Sequence, residues 1–227
     1  HESEFRFLYI DKNLNAKPEV EWLQLGKEME RMAQLVRANY VAAVDSLLNH
    51  DLSKAEQIKE DEKLIDYLNH AMTDYLVELT KKAIHTTTSK YLNKAMHVIS
   101  DLERIGDYSV FMIEKAEFCT DNDLVYSEEA KSELAEIYQV DLDLFDRATK
   151  AFFNREPIIQ EEYENIKSGF RHVRELSELS EKNHVIRLQN NKCSTESGLV
   201  YVKALTDMEK VGDHCYQIAR AAKADFN

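Results

Sequence analysis

Apolar residues recur at steps of three and four along most of the chain, which is the period of an amphipathic α-helix. The first stripe follows Trp22 and consists of Leu25, Met29, Met32, Val36, Tyr40, Ala43 and Leu47. Pro18 precedes it, at a place where the first turn of a helix tolerates proline. Five further stripes follow, separated by short polar segments. The pattern therefore predicts six long helices and an all-α fold.

Polar residues mark where the predicted helices begin and end. Asn49–Asp51 ends the first helix, and Ser53 with Glu56 has the spacing of a capping box that opens a second helix reaching about Ile84. The other predicted starts are the cap cluster Thr86–Ser89 for the third helix, Ser127 for the fourth, Pro157 for the fifth and about Ser197 for the sixth. Such short connections favour antiparallel neighbours.

A seven-residue motif occurs twice. Asp101-Leu-Glu-Arg-Ile-Gly-Asp107 returns 106 residues later as Asp207-Met-Glu-Lys-Val-Gly-Asp213, with the chemical type kept at every position. Each copy lies in the third predicted helix of its half. The repeat therefore predicts two tandem three-helix bundles related by a pseudo-twofold axis, over residues 19–120 and 121–227, after a leading segment 1–18.

Composition narrows the function classes. The chain has 29 basic and 42 acidic residues and a formal charge of −13, which argues against nucleic-acid binding. Three cysteines without CxxC spacing fit a reducing compartment. Five glycines leave no phosphate-binding loop, and no GxSxG or HExxH motif occurs. No stretch has the length of a membrane helix. We expect a protein that is not an enzyme.

The repeated motif holds candidate metal ligands. Glu103 and Asp107 are four residues apart and share one helix face beside the apolar stripe. Glu103 has no cation three or four residues away on its own helix, and Glu62 and Asp66 repeat the spacing on the second helix. Oxygen ligands suit Mg²⁺, Mn²⁺ or iron. The alternative is a salt-bridge network with cations of a neighbouring helix.

The second copy supplies Glu209 and Asp213 at matching positions. Here Arg171 and Arg174 stand where the first half has acidic residues, so either arginine can neutralise these carboxylates instead of a metal. His214 is a candidate nitrogen ligand or an ordinary hydrogen-bonded residue. A carboxylate-bridged dimetal enzyme is a weak alternative, because its Glu-x-x-His pairs are absent around both motifs.

The two motif copies resemble the PhoU family of phosphate-transport regulators over about residues 19–224. The resemblance implies tandem three-helix bundles with an E(D)xxxD motif in each, and metal clusters in some members. It places metal ligands at Glu103, Asp107, Glu209 and Asp213, with Glu62 and Asp66 on the preceding helix, for iron, Mn, Mg or Zn. The basic Arg171 and Arg174 depart from this pattern.

A narrower resemblance concerns two segments. Phe7–Leu14 and the loop Asn190–Gly198 look like parts of bacterial Na⁺/phosphate cotransporters, which carry a PhoU-like domain at their C-terminal end. This implies a regulatory domain on the cytoplasmic side of the membrane, with residues 1–18 as the linker. Its partners would be the transporter membrane domain or a phosphate-signalling protein, with a homodimer as a further expectation.

Two alternatives remain at this stage. One is a free-standing PhoU-type regulator of an ABC phosphate transporter, and the other is a structural helical adaptor without metal. The net charge argues against tight direct phosphate binding unless a metal bridges.

Overall fold

Six helices make up the part of the chain that the structure describes, as the apolar period predicts. The computed structural model describes residues 5–12, 17–82 and 86–223, and the side chains of residues 86 and 87 are outside this description. The helices are α1 (Pro18–Asn49), α2 (Ala55–Lys82), α3 (Thr86–Asp121), α4 (Glu128–Phe153), α5 (Gln160–Gln189) and α6 (Thr195–Ala222). The all-α class is confirmed, and no helix among the described residues is long and apolar enough to span a membrane.

The helices form two three-helix bundles that lie side by side. Helices α1, α2 and α3 pack together, and α4, α5 and α6 repeat the arrangement. The bundles meet mainly through α3 against α6, and to a lesser extent through α1 against α4. The central four helices therefore surround one continuous apolar core, and α2 and α5 pack on its outer sides. The tandem arrangement predicted from the repeat is confirmed.

Two helix starts differ from the prediction. Helix α5 begins at Gln160 and not at Pro157, because Ile158 N donates to the carbonyl of Ala222 at 3.3 Å and its residue pairs with Lys223. Helix α6 begins at Thr195, two residues early, because Ser194 caps it by accepting from Ser197 N. These starts were obscured because a distant segment or a neighbouring hydroxyl satisfies the backbone.

The other boundaries agree closely with the sequence. Pro18 opens α1, and the Ser127 hydroxyl accepts from Ala130 N at 3.1 Å as the cap of α4. Helix α2 begins at Ala55, and Asp51 accepts from Ser53 N just before it. The predicted Thr86–Ser89 cap lies partly outside the described side chains.

Residues 5–12 lie against α1 and α2. The carboxylate of Glu28, which is fully buried on α1, accepts from the backbone N–H groups of Tyr9 and Ile10 and pairs with Arg31. The rings of Phe5 and Phe7 pack edge-on against two tyrosines of α2, Tyr67 and Tyr75. The segment is thus held at one polar anchor and two aromatic contacts.

We predict that Glu28→Ala lowers the free energy of unfolding by about 2 kcal/mol, because it leaves buried backbone donors without an acceptor. Denaturant unfolding measures the change, and limited proteolysis should show earlier cleavage in residues 5–12. Glu30→Ala removes an exposed glutamate of the same helix and should change stability by less than about 0.5 kcal/mol. Equal losses in the two variants would contradict the anchoring role.

Candidate metal centre

Four carboxylates predicted from the sequence meet between α2 and α3. One oxygen from each of Glu62, Asp66, Glu103 and Asp107 lies within 4.8 Å of all the others. Glu62 and Asp66 are one turn apart on α2, and Glu103 and Asp107 are one turn apart on α3. Because i and i+4 residues share a helix face, packing of the two helices is enough to bring both pairs together.

Glu62 lies deepest in this cluster. Both of its carboxylate oxygens are buried and neither has a hydrogen-bond partner among the described residues. Gly106 makes room for it, because a Cβ at position 106 would lie 2.8 Å from Glu62 Oε2. An ionised carboxylate that is buried without a partner is costly, so Glu62 requires either a proton or a cation beside it. Four oxygen donors around one point fit a hard divalent cation.

The electrostatics of the cluster favour protons or a cation. Burial, followed by the neighbouring carboxylates and Asp107 foremost, raises the pKa of Glu62 to about 9. Burial and Asp107 raise the pKa of Glu103 to about 7. The pKa of Asp66 is raised for the same two reasons. Each carboxylate would ionise more readily if a cation stood between them.

Arg104 holds Asp107 from the outside. Its guanidinium donates to Asp107 Oδ2 at 2.9 Å, across the i, i+3 spacing of one helix face, and lies over the ring of Tyr108. About half of the arginine side chain is exposed. Arg104 therefore pairs with Asp107 but has no hydrogen bond to Glu62, whose two oxygens stay without a partner among the described residues.

In the second bundle, the motif carboxylates Glu209 and Asp213 have partners from other side chains. Arg174 Nε lies 3.7 Å from Glu209 Oε1, so the guanidinium stands beside the carboxylate. Asp213 accepts from Gln217 at 3.3 Å. Within the described ranges 5–12, 17–82 and 86–223, no four-carboxylate cluster includes Glu209 or Asp213. The structure thus places these two predicted ligands beside an arginine and a glutamine. Metal binding there stays an untested prediction.

The contacts of the two motif glycines show the exchange position by position. A Cβ at Gly106 would meet Glu62 Oε2 at 2.8 Å and Ile65 at 3.5 Å, both on α2. A Cβ at Gly212 would meet Asp141 Oδ1 of α4 at 2.8 Å, and Phe170 and Val173 of α5 at 3.4 Å. The contacts on α2 and α5 keep one spacing along the chain, from Glu62 to Phe170 and from Ile65 to Val173, and the same spacing carries Asp66 onto Arg174. On α5 the second bundle therefore has Phe170 and Arg174 at the positions that match Glu62 and Asp66, and the carboxylate beside its glycine comes from α4.

An acidic residue of the second bundle escaped sequence reasoning. Asp141 of α4 is fully buried, and its Oδ2 accepts from the hydroxyl of Tyr40 on α1 at 2.7 Å. Burial raises its pKa well above the usual range, because the charged form is disfavoured away from water. The available signal was its place in the apolar stripe of α4 between Ile137 and Ala148.

The first aspartate of each motif reaches across to the other bundle. Asp101 of α3 lies 2.9 Å from His214 Nδ1 on α6, and Asp207 of α6 lies 2.6 Å from Lys115 Nζ on α3. His214 is therefore engaged by Asp101 and is not part of the carboxylate cluster. Sequence spacing could not show this, because each pair joins residues of different halves.

Comparisons with known proteins agree with this geometry. The family model described as "PhoU domain" matches residues 29–116 and 134–222, one match in each bundle. The chain is 26% identical over 197 residues to the "Phosphate-specific transport system accessory protein PhoU homolog 1" of Thermotoga maritima, covering 84% of this chain and 80% of that protein.

Two solved structures share the fold. The crystal structure of PhoU from Pseudomonas aeruginosa has a TM-score of 0.84 at 18% identity, covering 91% of this chain and 97% of that chain. The phosphate transport system regulatory protein PhoU from Streptococcus pneumoniae has a TM-score of 0.79 at 18% identity, covering 90% and 94%. At this identity the likeness concerns the fold.

We predict that the metal-free protein loses stability as pH rises through the pKa values of the cluster. Folding raises the pKa of Glu103 from 4.5 to about 7 and that of Glu62 from 4.5 to about 9. The stability that the protonated carboxyls contribute to the folded state is therefore fully present below about pH 4.5, and it is lost as the pH rises towards about 9.

Denaturant unfolding with a chelator present, between about pH 5 and about pH 9, measures this slope. Glu62→Gln should flatten its upper part, because the amide cannot ionise. Glu60→Gln, an exposed change on the same helix, should follow the wild type. A Glu62→Gln variant with the wild-type slope contradicts the prediction.

Proposed function

Because the chain belongs to the PhoU domain family, we propose that it regulates phosphate transport through a metal ion held by the carboxylates of its first bundle. The observation that carries the metal is the buried Glu62 carboxylate without a partner, within 4.8 Å of three other carboxylate oxygens. The bound ion would supply positive charge and fix the packing of α2 on α3. The proposed role is regulatory and not catalytic.

The ligand chemistry narrows the metal. All four donors are carboxylate oxygens, which suit Mg²⁺, Mn²⁺ or iron better than ions that prefer sulfur. Zn²⁺ is the less suitable candidate, because structural zinc sites favour cysteine and histidine. We propose one such site per chain, because the α5 positions that match Glu62 and Asp66 hold Phe170 and Arg174, and Arg174 lies beside Glu209.

The name of the Thermotoga maritima relative supports the free-standing reading. That protein is called an accessory protein of a phosphate-specific transport system, and our chain covers 80% of it. We therefore favour a PhoU-type regulator of an ABC phosphate transporter. The second candidate is a domain of a Na⁺/phosphate cotransporter, which the sequence features of Phe7–Leu14 and Asn190–Gly198 favour.

The partner follows from the choice between these two. A PhoU-type regulator would contact a transporter component or a phosphate-signalling protein at the cytoplasmic face of the membrane. A homodimer remains part of the proposal. The remaining hypothesis is a structural adaptor without metal. Measuring the metal content of the protein distinguishes it from the proposed metal-binding regulator.

We predict about one metal ion per chain in protein purified without chelator and without a nickel column. Glu103→Gln/Asp107→Asn should lose it, because two of the four donors become neutral or weaker ligands. Elemental analysis and Mn²⁺ titration measure the content. The matched control is Glu209→Gln/Asp213→Asn, the same change in the second motif, which should keep the metal. Wild-type protein that takes up none of these ions supports the adaptor.

We predict that Gly106→Ala weakens Mn²⁺ binding by about ten-fold or more, because its methyl group displaces Glu62 from the cluster. The helix itself should gain up to about 1 kcal/mol from alanine. Gly26→Ala is the control, since a Cβ there meets just the end of the Arg155 side chain at 3.1 Å. Titration calorimetry compares the affinities. Unchanged Mn²⁺ affinity in Gly106→Ala would remove Glu62 from the site.

Phosphate uptake in cells lacking the gene tests the regulatory role. If the chain acts on an ABC transporter, loss of the gene should change phosphate uptake both in the presence and in the absence of sodium. If the chain belongs to a cotransporter, loss of the gene should change only the sodium-dependent uptake. Complementation by Glu103→Gln/Asp107→Asn then shows whether the metal site is needed. Unchanged uptake in both media would contradict the proposed function.

A further inference from the structure

A cavity of about 280 Å³ lies where the two bundles meet at one end of the molecule. Its walls come from the first turns of α3, from the connection between α4 and α5, and from the end of α6. The residues that matter for the argument are Lys90, Lys94, Arg155 and Lys223, with the rings of Tyr91 and Phe152. The carboxylate cluster is formed by other residues, on α2 and farther along α3.

Positive charge is concentrated in this lining. Four of the residues that line it are cationic and come from three separate elements, and Glu156 is the one acidic residue among the described residues that line it. The whole chain carries a charge of −13, so this concentration runs against its average. A concave site lined by one sign of charge raises the local concentration of ions of the opposite sign. The occupant that fits this charge is an anion.

Arg155 is held in a defined position at the cavity. Its guanidinium donates to the backbone carbonyl of Trp22 and lies 5.9 Å from the ring centre of Tyr91. Its backbone has a φ of 57°, a conformation that favours Asn, Asp and His among non-glycine residues. The other described residues with positive φ are His50, Asp123 and Asn191. Arginine is not among the residues that favour this backbone conformation. We therefore attribute the arginine at position 155 to the contacts of its side chain.

The lysines are tied to the same junction. Lys94 Nζ donates to the carbonyl of Lys223 at 3.2 Å, which links α3 to the end of α6. The ammonium of Lys223 lies 4.5 Å from the ring centre of Tyr163 on α5. A ligand bound to these groups would therefore contact both bundles at once.

The size and walls of the cavity limit the anion. A volume of about 280 Å³ lies just below the usual range for drug-sized ligands, so the occupant is small. Tyr91 and Phe152 stack with their planes 7° apart and give the cavity an apolar side. Arginine and lysine together are the usual ligands of phosphate groups, the first through a fork of N–H donors and the second as a point charge.

We propose that this cavity binds a small phosphate-bearing anion, either inorganic phosphate or a small phosphate monoester. The anionic class follows from the four cations, whereas the choice of phosphate over other oxyanions rests on the proposed function. The ligand would join α3 of the first bundle to the α4–α5 connection and the end of α6. The high negative charge of the chain does not oppose this, because the local lining is positive.

The chain's one tryptophan reports on this site. Trp22 packs 5.6 Å from Tyr91, and its carbonyl accepts from Arg155. Sodium phosphate, glucose 6-phosphate, AMP and sodium sulfate are titrated at constant ionic strength, with Trp22 fluorescence and calorimetry as readouts. We expect saturable binding of phosphate or of a monoester at millimolar or lower concentration. The tighter of these ligands identifies whether the free ion or an ester is the occupant.

Lysine substitutions test the location. Lys90→Gln/Lys94→Gln should weaken binding by about ten-fold or more, because it removes two charge-assisted contacts. Lys90→Gln alone should weaken binding several-fold. Because Lys90 is exposed, this substitution should leave the fold intact. Lys182→Gln removes one exposed lysine of α5 outside the lining and should bind as the wild type does.

Three results would overturn the proposal: no saturable binding, equal affinity for sulfate, or affinity unchanged by the Lys90 and Lys94 substitutions. Glu103→Gln/Asp107→Asn should keep anion binding, which separates this cavity from the metal site. Uptake in cells lacking the gene is measured independently. Altered uptake without anion binding therefore rejects this cavity alone, and anion binding with unaltered uptake rejects the proposed function alone.

Discussion

The packing of α3 against α6 is the contact on which the rest of the molecule depends. Every other helix packs on α3 or α6. Helices α3 and α6 each carry one copy of the repeated motif at the centre of the core. Apolar motif positions such as Leu102 and Met208 are buried. The leading aspartates reach across to the opposite bundle, to His214 and Lys115. One short motif thus joins the halves and also presents carboxylates to its own bundle.

The two bundles answer the same electrostatic problem in different ways. Carboxylates turned towards a helix interface must be neutralised, because an ionised group away from water is costly without a partner. In the second bundle Arg174 lies beside Glu209, and burial raises the pKa of Asp141, which accepts a hydrogen bond from Tyr40. In the first bundle four carboxylates lie close together. Burial and their mutual repulsion raise the pKa values of Glu62 and Glu103.

Overall charge and local charge are separate properties of this chain. A formal charge of −13 describes the average surface and the exposed faces of long helices. The end of the molecule where α3, α6 and the α4–α5 connection converge has the opposite character, with Lys90, Lys94, Arg155 and Lys223 around one cavity. An argument from net charge against phosphate binding therefore does not extend to this place, since fields in a concave site depend on its own lining.

The sequence by itself determined the six helices, the tandem bundles and the spacing of the candidate ligands, because helix period and i, i+4 geometry are local. It also showed that Arg174 breaks the acidic pattern. Only the tertiary structure decided that Arg174 lies beside Glu209, that α5 starts late where Ile158 pairs with the end of α6, and that distant lysines line one cavity. These facts depend on the register between packed helices, and residues far apart in the chain carry no local signal of that register.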